Sequence, residues 1–239
     1  MDNRDTDDRD TDDLETALAR SEAREPVVAA FVARHPAERL RAEWATAPEG
    51  PLKGFTLGVK DIIDTCDLPT ALGVRSQAAR QPTVDAACVA LARRAGVVVV
   101  AKTVTTELAM FSPGPTTNPH NPAHTPGGSS SGSAAAVAAG MVRVAFGTQT
   151  AGSMIRPASF CGVFGFKPTK DLVPMAGVNP VAASLDTLGW YGRSVYDVAA
   201  VLAALAPPNA ANPAADEYAK PARLALYRSA EWEDRKSVV

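Results

Sequence analysis

Thr125-Pro-Gly-Gly-Ser-Ser-Ser-Gly-Ser133 opens the stretch whose reading decides the fold. Behind it come the small-residue run Ala134 to Met141, the apolar run Val142 to Gly147, and a second small-residue segment, Thr148-Gln149-Thr150-Ala151-Gly152-Ser153. Pro113, Pro115, Pro119, Pro122 and Pro126 exclude a regular helix or central strand ahead of the glycines, so residues 112–133 read as a loop. Ala134 to Met141 then reads as a helix, Val142 to Gly147 as a strand, and 148–153 as a second loop. Upstream, Phe55 to Val59 and Val97 to Ala101 are short apolar runs of buried-strand type, with a helical pattern from Ala86 to Arg94 before the second. Leu14 to about Trp44 reads as a helical lead-in that Gly50-Pro51 breaks. Downstream, Val195 to Leu205 reads as a helix, Pro207 to Ala215 as a connector and Ala222 to Tyr227 as a strand, while Lys236 to Val239 carries no structural signal. Strand, loop and helix alternate as in an α/β protein.

The 239 residues, 46% hydrophobic and 21% charged, supply one sizeable core and exclude a fibrous or wholly disordered chain. A formal net charge of −2 leaves no basic surplus for nucleic acid or anionic lipid, so neither is expected as a partner. Cys66, Cys88 and Cys161 are odd in number and far apart, which suggests neither a disulfide framework nor a zinc site and fits a reducing cytoplasm. The start is acidic where a secretory signal is basic and then apolar, and no apolar run approaches the ~18–20 residues that span a bilayer. Asp2 to Asp13 repeats Arg-Asp-Thr-Asp-Asp without an apolar residue, so residues 1–13 are expected to form a disordered acidic tail.

Gly128-Ser129-Ser130-Ser131-Gly132 also fits Gly-x-Ser-x-Gly, which would make Ser130 a hydrolase nucleophile followed by an acid and a histidine. His35, His120 and His124 all precede Ser130, so that order cannot be completed. No Gly-x-Gly pair and no Gly-x-x-x-x-Gly-Lys occurs, which removes the phosphate cradles of nucleotide-binding proteins. His120 and His124 are four residues apart, a spacing that suits zinc on a helix, but Pro119 and Pro122 interrupt the helix and no third ligand is evident; no metal is expected. Without a usable histidine, a serine nucleophile needs another base. A lysine can serve when burial lowers its pKa from ~10.4 toward ~7–8. Lys60, at the end of Phe-Thr-Leu-Gly-Val, is the best-placed candidate, although a strand-end lysine is more often a solvated surface charge.

Thr125 to Ser133, together with Gly147-Thr-Gln-Thr-Ala-Gly-Ser-Met-Ile-Arg-Pro-Ala-Ser-Phe-Cys-Gly-Val-Phe-Gly-Phe-Lys-Pro-Thr169, resembles the amidase signature family. Gly58-Val-Lys-Asp-Ile-Ile-Asp64 and Ser184-Leu-Asp-Thr-Leu-Gly-Trp190 extend the resemblance over nearly everything after the tail. It implies an α/β fold with a mixed central β-sheet flanked by helices and a serine, cis-serine and lysine triad that needs no cofactor. Ser153 matches the nucleophile, Ser129 the bridging serine after a cis peptide, and Lys60 the base, with separations 153 − 129 = 24 and 129 − 60 = 69. Thr150, Ala151 and Gly152 match the oxyanion loop. These intervals, with Thr-Gln-Thr and Ile-Arg-Pro-Ala, resemble the malonamidase branch, where the arginine matching Arg156 grips a substrate carboxylate. Arg156 equally suits a structural role on loop carbonyls. Gln149 replaces the acid of the commoner pattern, and Arg156 sits three residues after the nucleophile rather than two. Cys161 is expected to be an inert packed thiol, and Asp61 and Asp64 to cap or hydrogen-bond near the lysine.

The resemblance implies hydrolysis of a C–N amide bond through an acyl-serine, with a small-molecule amide, acidic ones included, as the partner and a homodimer admitted. A glutamine-hydrolysing component of a tRNA-dependent amidotransferase is the rival within the family, and Gln149 tilts against it. Because family members run much longer, residues 14–239 are expected to be the N-terminal portion of an amidase domain truncated at its C-terminal side; an inactive fragment is the rival of another class.

Overall fold

The computed structural model describes residues 13–207. The connector beyond Pro207, the strand Ala222 to Tyr227 and the last four residues lie outside them, as does the tail up to residue 12. Asp13, assigned to the tail on composition, instead caps the first helix: its Oδ1 accepts from Thr16 N at 2.8 Å. A carboxylate there satisfies an orphan N–H, which an acidic residue does whatever the composition before it.

Helix α1 (Leu14–Val28) ends at Ala29 in the left-handed conformation, and the Glu25 carboxylate accepts from Ala30 N and Phe31 N at 3.0 and 2.9 Å. The chain thereby turns into strand β1 (Phe31–Arg34), then helix α2 (Ala37–Thr46). The helical lead-in is therefore two helices with an edge strand between them. Four residues of alternating exposure pair with a neighbour far along the chain, a tertiary preference that local periodicity does not encode.

Strand β2 (Thr56–Lys60), helix α3 (Ala87–Arg94), strand β3 (Val98–Thr103), helix α4 (Ser131–Ala138) and strand β4 (Val144–Gln149) follow. Helix α5 (Ile155–Cys161), strand β5 (Phe164–Phe166), strand β6 (Thr187–Gly192) and helix α6 (Val195–Leu205) complete the described chain. The six strands form a mixed sheet in the order β1-β3-β2-β4-β6-β5, with β2 parallel to both β3 and β4 and the other pairs antiparallel. β2, β3 and β6 are buried along their whole length because both faces of the sheet are covered, as for strands that read as continuous apolar runs. On one face Leu57, Val59, Val99, Phe146 and Trp190 pack with Val89 of α3 and Val201 of α6. On the other, Val100, Ala145 and Tyr191 pack with Leu40 of α2, Ala135 of α4 and Met154 beside α5. No helix among the described residues is long and apolar enough to cross a membrane.

α4 begins at Ser131, three residues before the start expected from its alanines. Gly132 N donates to Val104 O at 2.9 Å, and a Cβ at Gly132 would stand 2.3 Å from Ala30 O and 2.4 Å from Val104 N. Close contact with the end of β3 thus outweighs the poor helix propensity of Ser-Gly-Ser. β5 and β6 carry no strand signal of their own in the sequence; both are short or glycine-interrupted.

Candidate active site

The carboxyl ends of the parallel strands β2 and β3 and of β4 converge where the two small-residue loops meet. Lys60 is the last residue of β2 and pairs in register with Thr103, whose Oγ1 lies 2.6 Å from Ser133 Oγ of α4. The Lys60 side chain is fully buried, and its Nζ donates to Ser129 Oγ and to Thr148 Oγ1, each at 2.8 Å. Burial without a carboxylate in contact disfavours the ammonium and lowers its pKa to about 7, against a smaller upward pull from the charge of Asp186. The surface-charge reading of Lys60 is thereby excluded.

Ser129 follows a cis peptide bond from Gly128 and is almost fully buried just before α4. Its carbonyl accepts from Thr106 N at 3.1 Å, which ties the loop to the segment after β3. Ser130 is committed elsewhere: its Oγ donates to Thr148 O at 3.2 Å and accepts from Thr148 N at 3.3 Å. A hydroxyl held on both sides by one strand end is a splice between α4 and β4, in keeping with the absence of a histidine to make it a nucleophile.

Ser153 lies in the turn between β4 and α5, half-buried, and its hydroxyl has no hydrogen-bond partner among the described residues. The structure therefore joins Lys60 to Ser129 directly and leaves Ser153 outside that hydrogen bond. It brings the two loops together through backbone and side chain: Arg156 Nε donates to Gly128 O at 3.0 Å, and a Cβ at Gly127 would come 3.0 Å from Pro157 Cα. Arg156 thus meets the structural role foreseen for it, with its side chain otherwise exposed. Among the described residues no acceptor takes the N–H of Ala151, Gly152 or Ser153, and a Cβ at Gly152 would meet nothing within 4 Å. Three backbone donors beside an open approach suit a developing oxyanion.

Gln149, the departure from the family's acid, accepts from Met154 N at 2.8 Å and Ile155 N at 3.1 Å through Oε1 and so caps α5. That task needs an oxygen lone pair rather than a charge. Tyr191 of β6 holds the same turn from beneath, its hydroxyl donating to Ser153 O and Met154 O at 3.2 and 3.1 Å.

Sequence reasoning missed three groups. Thr148 is the second acceptor for Lys60. Asp186, inside the Ser184 to Trp190 motif but without a role there, accepts from Thr150 Oγ1 at 2.5 Å. Lys102 carries the same signal that singled out Lys60, a lysine closing an apolar strand, and is also fully buried. Its Nζ donates to Ile63 O and Thr70 Oγ1 at 2.6 Å and stands 3.8 Å from Asp61 Oδ1, with burial drawing it down to about 8. Asp61 also accepts from Ala71 N and Gly73 N, and Asp64 is engaged by Arg80 at 2.7 Å, as the capping role anticipated.

His120 is occupied by protein: its Nε2 lies 2.8 Å from Cys161 O. Cys161 is buried, with its thiol pushed up to about 12. The carboxylates and thiol of Cys66, Asp67 and Asp85 lie within 4.8 Å of one another, but Asp67 is paired with Arg39 and Arg93 and lies 3.2 Å from His35 Nε2, and Asp85 is paired with Arg93, so arginines already occupy those carboxylates.

The family model Amidase matches residues 13–237. Among curated proteins, the chain is 43% identical over 205 residues to a glutamyl-tRNA(Gln) amidotransferase component of Synechococcus sp., covering 80% of this chain and 42% of that one. It is 41% identical over 204 residues to the corresponding chloroplastic/mitochondrial protein of Oryza sativa subsp. indica, covering 79% and 38%. Among solved structures, the native peptide amidase of Stenotrophomonas maltophilia aligns with a TM-score of 0.73 at 38% identity, over 87% of this chain and 47% of that one. The glutamyl-tRNA(Gln) amidotransferase component of Thermotoga maritima aligns with a TM-score of 0.69 at 33% identity, over 82% and 43%. The chain spans about two fifths of the length of the curated relatives it matches and under half of the solved ones.

Proposed function

The chain belongs to the Amidase family, and from that premise we propose that it hydrolyses a C–N amide bond through an acyl-enzyme on Ser153, with Ser129 and Lys60 as its proton relay. The observation that carries the reading is the 2.8 Å hydrogen bond between the hydroxyl of Ser129 and a buried Lys60 Nζ, whose pKa burial draws down to about 7. Ser153 Oγ attacks the amide carbonyl and passes its proton to Ser129 Oγ, whose own proton moves to Lys60 Nζ. The negative charge on the carbonyl oxygen is taken by the free N–H groups of the 151–153 turn, each such donor typically contributing ~3–4 kcal/mol. Collapse of the tetrahedral adduct breaks the C–N bond, and the proton held on Lys60 returns through Ser129 to the leaving amine. Water then adds to the acyl-serine by the same relay, which releases the carboxylate.

The favoured substrates are small amides bearing a carboxylate, as in the malonamidase branch, because the exposed end of the Arg156 guanidinium stands beside the loop that holds Ser129. A second reading, release of ammonia from glutamine in company with a transamidating partner, is favoured by the amidotransferase relatives. Gln149 does not weigh against it, since its amide oxygen meets the capping task at α5.

The test is active-site labelling with a fluorophosphonate, followed by mass spectrometry of the intact chain and its peptides. The expected result is one adduct on Ser153, none in Ser153→Ala, and labelling slowed by several orders of magnitude in Lys60→Ala, since members of one relay fail together. A cooperatively melting chain that takes no label would be an inactive piece of an amidase fold, and Ser153→Ala labelled like wild type would remove the assignment.

A further inference from the structure

Asp186 immediately precedes β6 and is largely buried, with three donors aimed at its carboxylate. Oδ1 accepts from Thr150 Oγ1 at 2.5 Å, while Oδ2 accepts from Val181 N at 2.8 Å and Ala182 N at 2.9 Å. A buried carboxylate is tolerated only when its lone pairs are met, and here one of the three donors belongs to the turn that carries Ser153. β4 and β6 pair from Val144↔Gly192 to Gln149↔Thr187, so Thr150 and Asp186 are the first residues past the ladder on the two strands. Their hydrogen bond continues the ladder by side chains where the backbones part.

Thr150 is two residues from Thr148, which holds Lys60. The groups around Lys60 differ in charge. From the α4 side it meets Ser129 and from β4 Thr148, both neutral; Lys102 of β3 shares the opposite sheet face with Val59 and is engaged by Asp61. The negative charge that reaches Lys60 comes from Asp186.

We propose that Asp186 is a positioning residue of this site, its carboxylate fixing the 150–153 turn through Thr150. The proposal rests on the functional reading above, because it concerns the geometry of the same turn and base. The Asp186 carboxylate accepts from Thr150, Val181 and Ala182 rather than from Lys60, Ser129 or Ser153, so it acts through Thr150. Fixing the turn holds the N–H groups of residues 151–153 in place beside Ser153.

The experiment compares wild type, D186N, T150V and T150S by two readouts: the fluorophosphonate labelling rate and the backbone ¹⁵N order parameters of residues 151–153. T150V should slow labelling about tenfold and lower those order parameters. T150S, which restores the hydroxyl, should recover both. D186N should loosen the turn likewise. Unchanged order parameters in T150V, or failure of T150S to rescue them, would each overturn the proposal. If D186N fails to fold, the order parameters and labelling of T150V against T150S decide it. Labelling of Ser153→Ala at the wild-type rate would instead sink the functional reading, and the order parameters would still report on Asp186.

Discussion

Lys60 and Lys102 stand one register position apart on the neighbouring parallel strands β2 and β3, and their side chains leave the sheet on opposite faces. Both are fully buried, and burial lowers the pKa of both. Their partners separate their roles. Lys102 has a carboxylate 3.8 Å away and a backbone carbonyl at 2.6 Å, acceptors that favour a cation, whereas Lys60 meets two hydroxyls. A lysine among hydroxyls can give up its proton at neutral pH, and that is the form a base requires.

The folded pKa of Lys60 lies near 7, below the ~10.4 of an unfolded lysine. Between those values the unfolded chain binds more protons than the folded one, so the penalty for burying Lys60 is full below about 7 and fades as pH rises toward ~10.4. Lys60→Met should therefore abolish labelling of Ser153 yet gain stability relative to wild type most at about pH 6, the gain shrinking by about pH 10. Urea midpoints across that range measure it; a gain that grows with pH would contradict a depressed lysine. In wild type, labelling should rise as pH passes through about 7.

Arg156 serves the loop through Nε and leaves the rest of its guanidinium exposed. Arg156→Ala should raise KM for the monoamide of malonic acid more than for propionamide, by about tenfold if a charge-assisted pair is lost. Steady-state kinetics on both amides measure the split. Equal effects would assign the residue wholly to holding Gly128.

Gly132 sets helix propensity against packing. Alanine would gain up to about 1 kcal/mol as a helix former. Its Cβ would, however, fall 2.3 and 2.4 Å from backbone atoms of Ala30 and Val104, which cannot move aside as a flexible side chain would. Overpacking costs typically ~1–3 kcal/mol and here should win, so Gly132→Ala is expected to lower the denaturation midpoint. A raised midpoint would show that α4 can shift from the sheet.

Cys66 is exposed, whereas Cys88 and Cys161 are buried with thiols pushed up to about 12 by desolvation. Iodoacetamide should modify Cys66 alone in the native chain and all three cysteines in denaturant, as peptide mass spectrometry would show. Native alkylation of Cys161 would place the turn before Gly162 in frequent local opening.

The strands β2, β3 and β4 are legible in the sequence because each is buried and apolar through most of its length, and the helix Val195–Leu205 because its pattern and Ser194 cap are local. Boundaries move wherever a distant group intervenes. Lys60 itself closes β2 because the ladder to Thr103 extends that far, and α4 starts early because Val104 accepts from Gly132. β1 is not legible because its partner lies about seventy residues onward and its own four residues sit between two helices. Thr148 and Asp186 escape notice for the same reason: neither bears a local signal, and each matters through one hydrogen bond to a remote side chain.

From the chain alone came the class of fold and the small-residue loops, because glycine, serine and proline constrain the backbone wherever they stand. The match to a known family likewise needed only the order of residues. Which lysine meets which serine was decided by the parallel pairing of β2 between β3 and β4, which carries Lys60 to Ser129 across 69 residues. Only that packing excludes water from the amine. Desolvation is a property of the assembled layers rather than of any segment, so the lowered pKa of Lys60 exists only in the folded molecule.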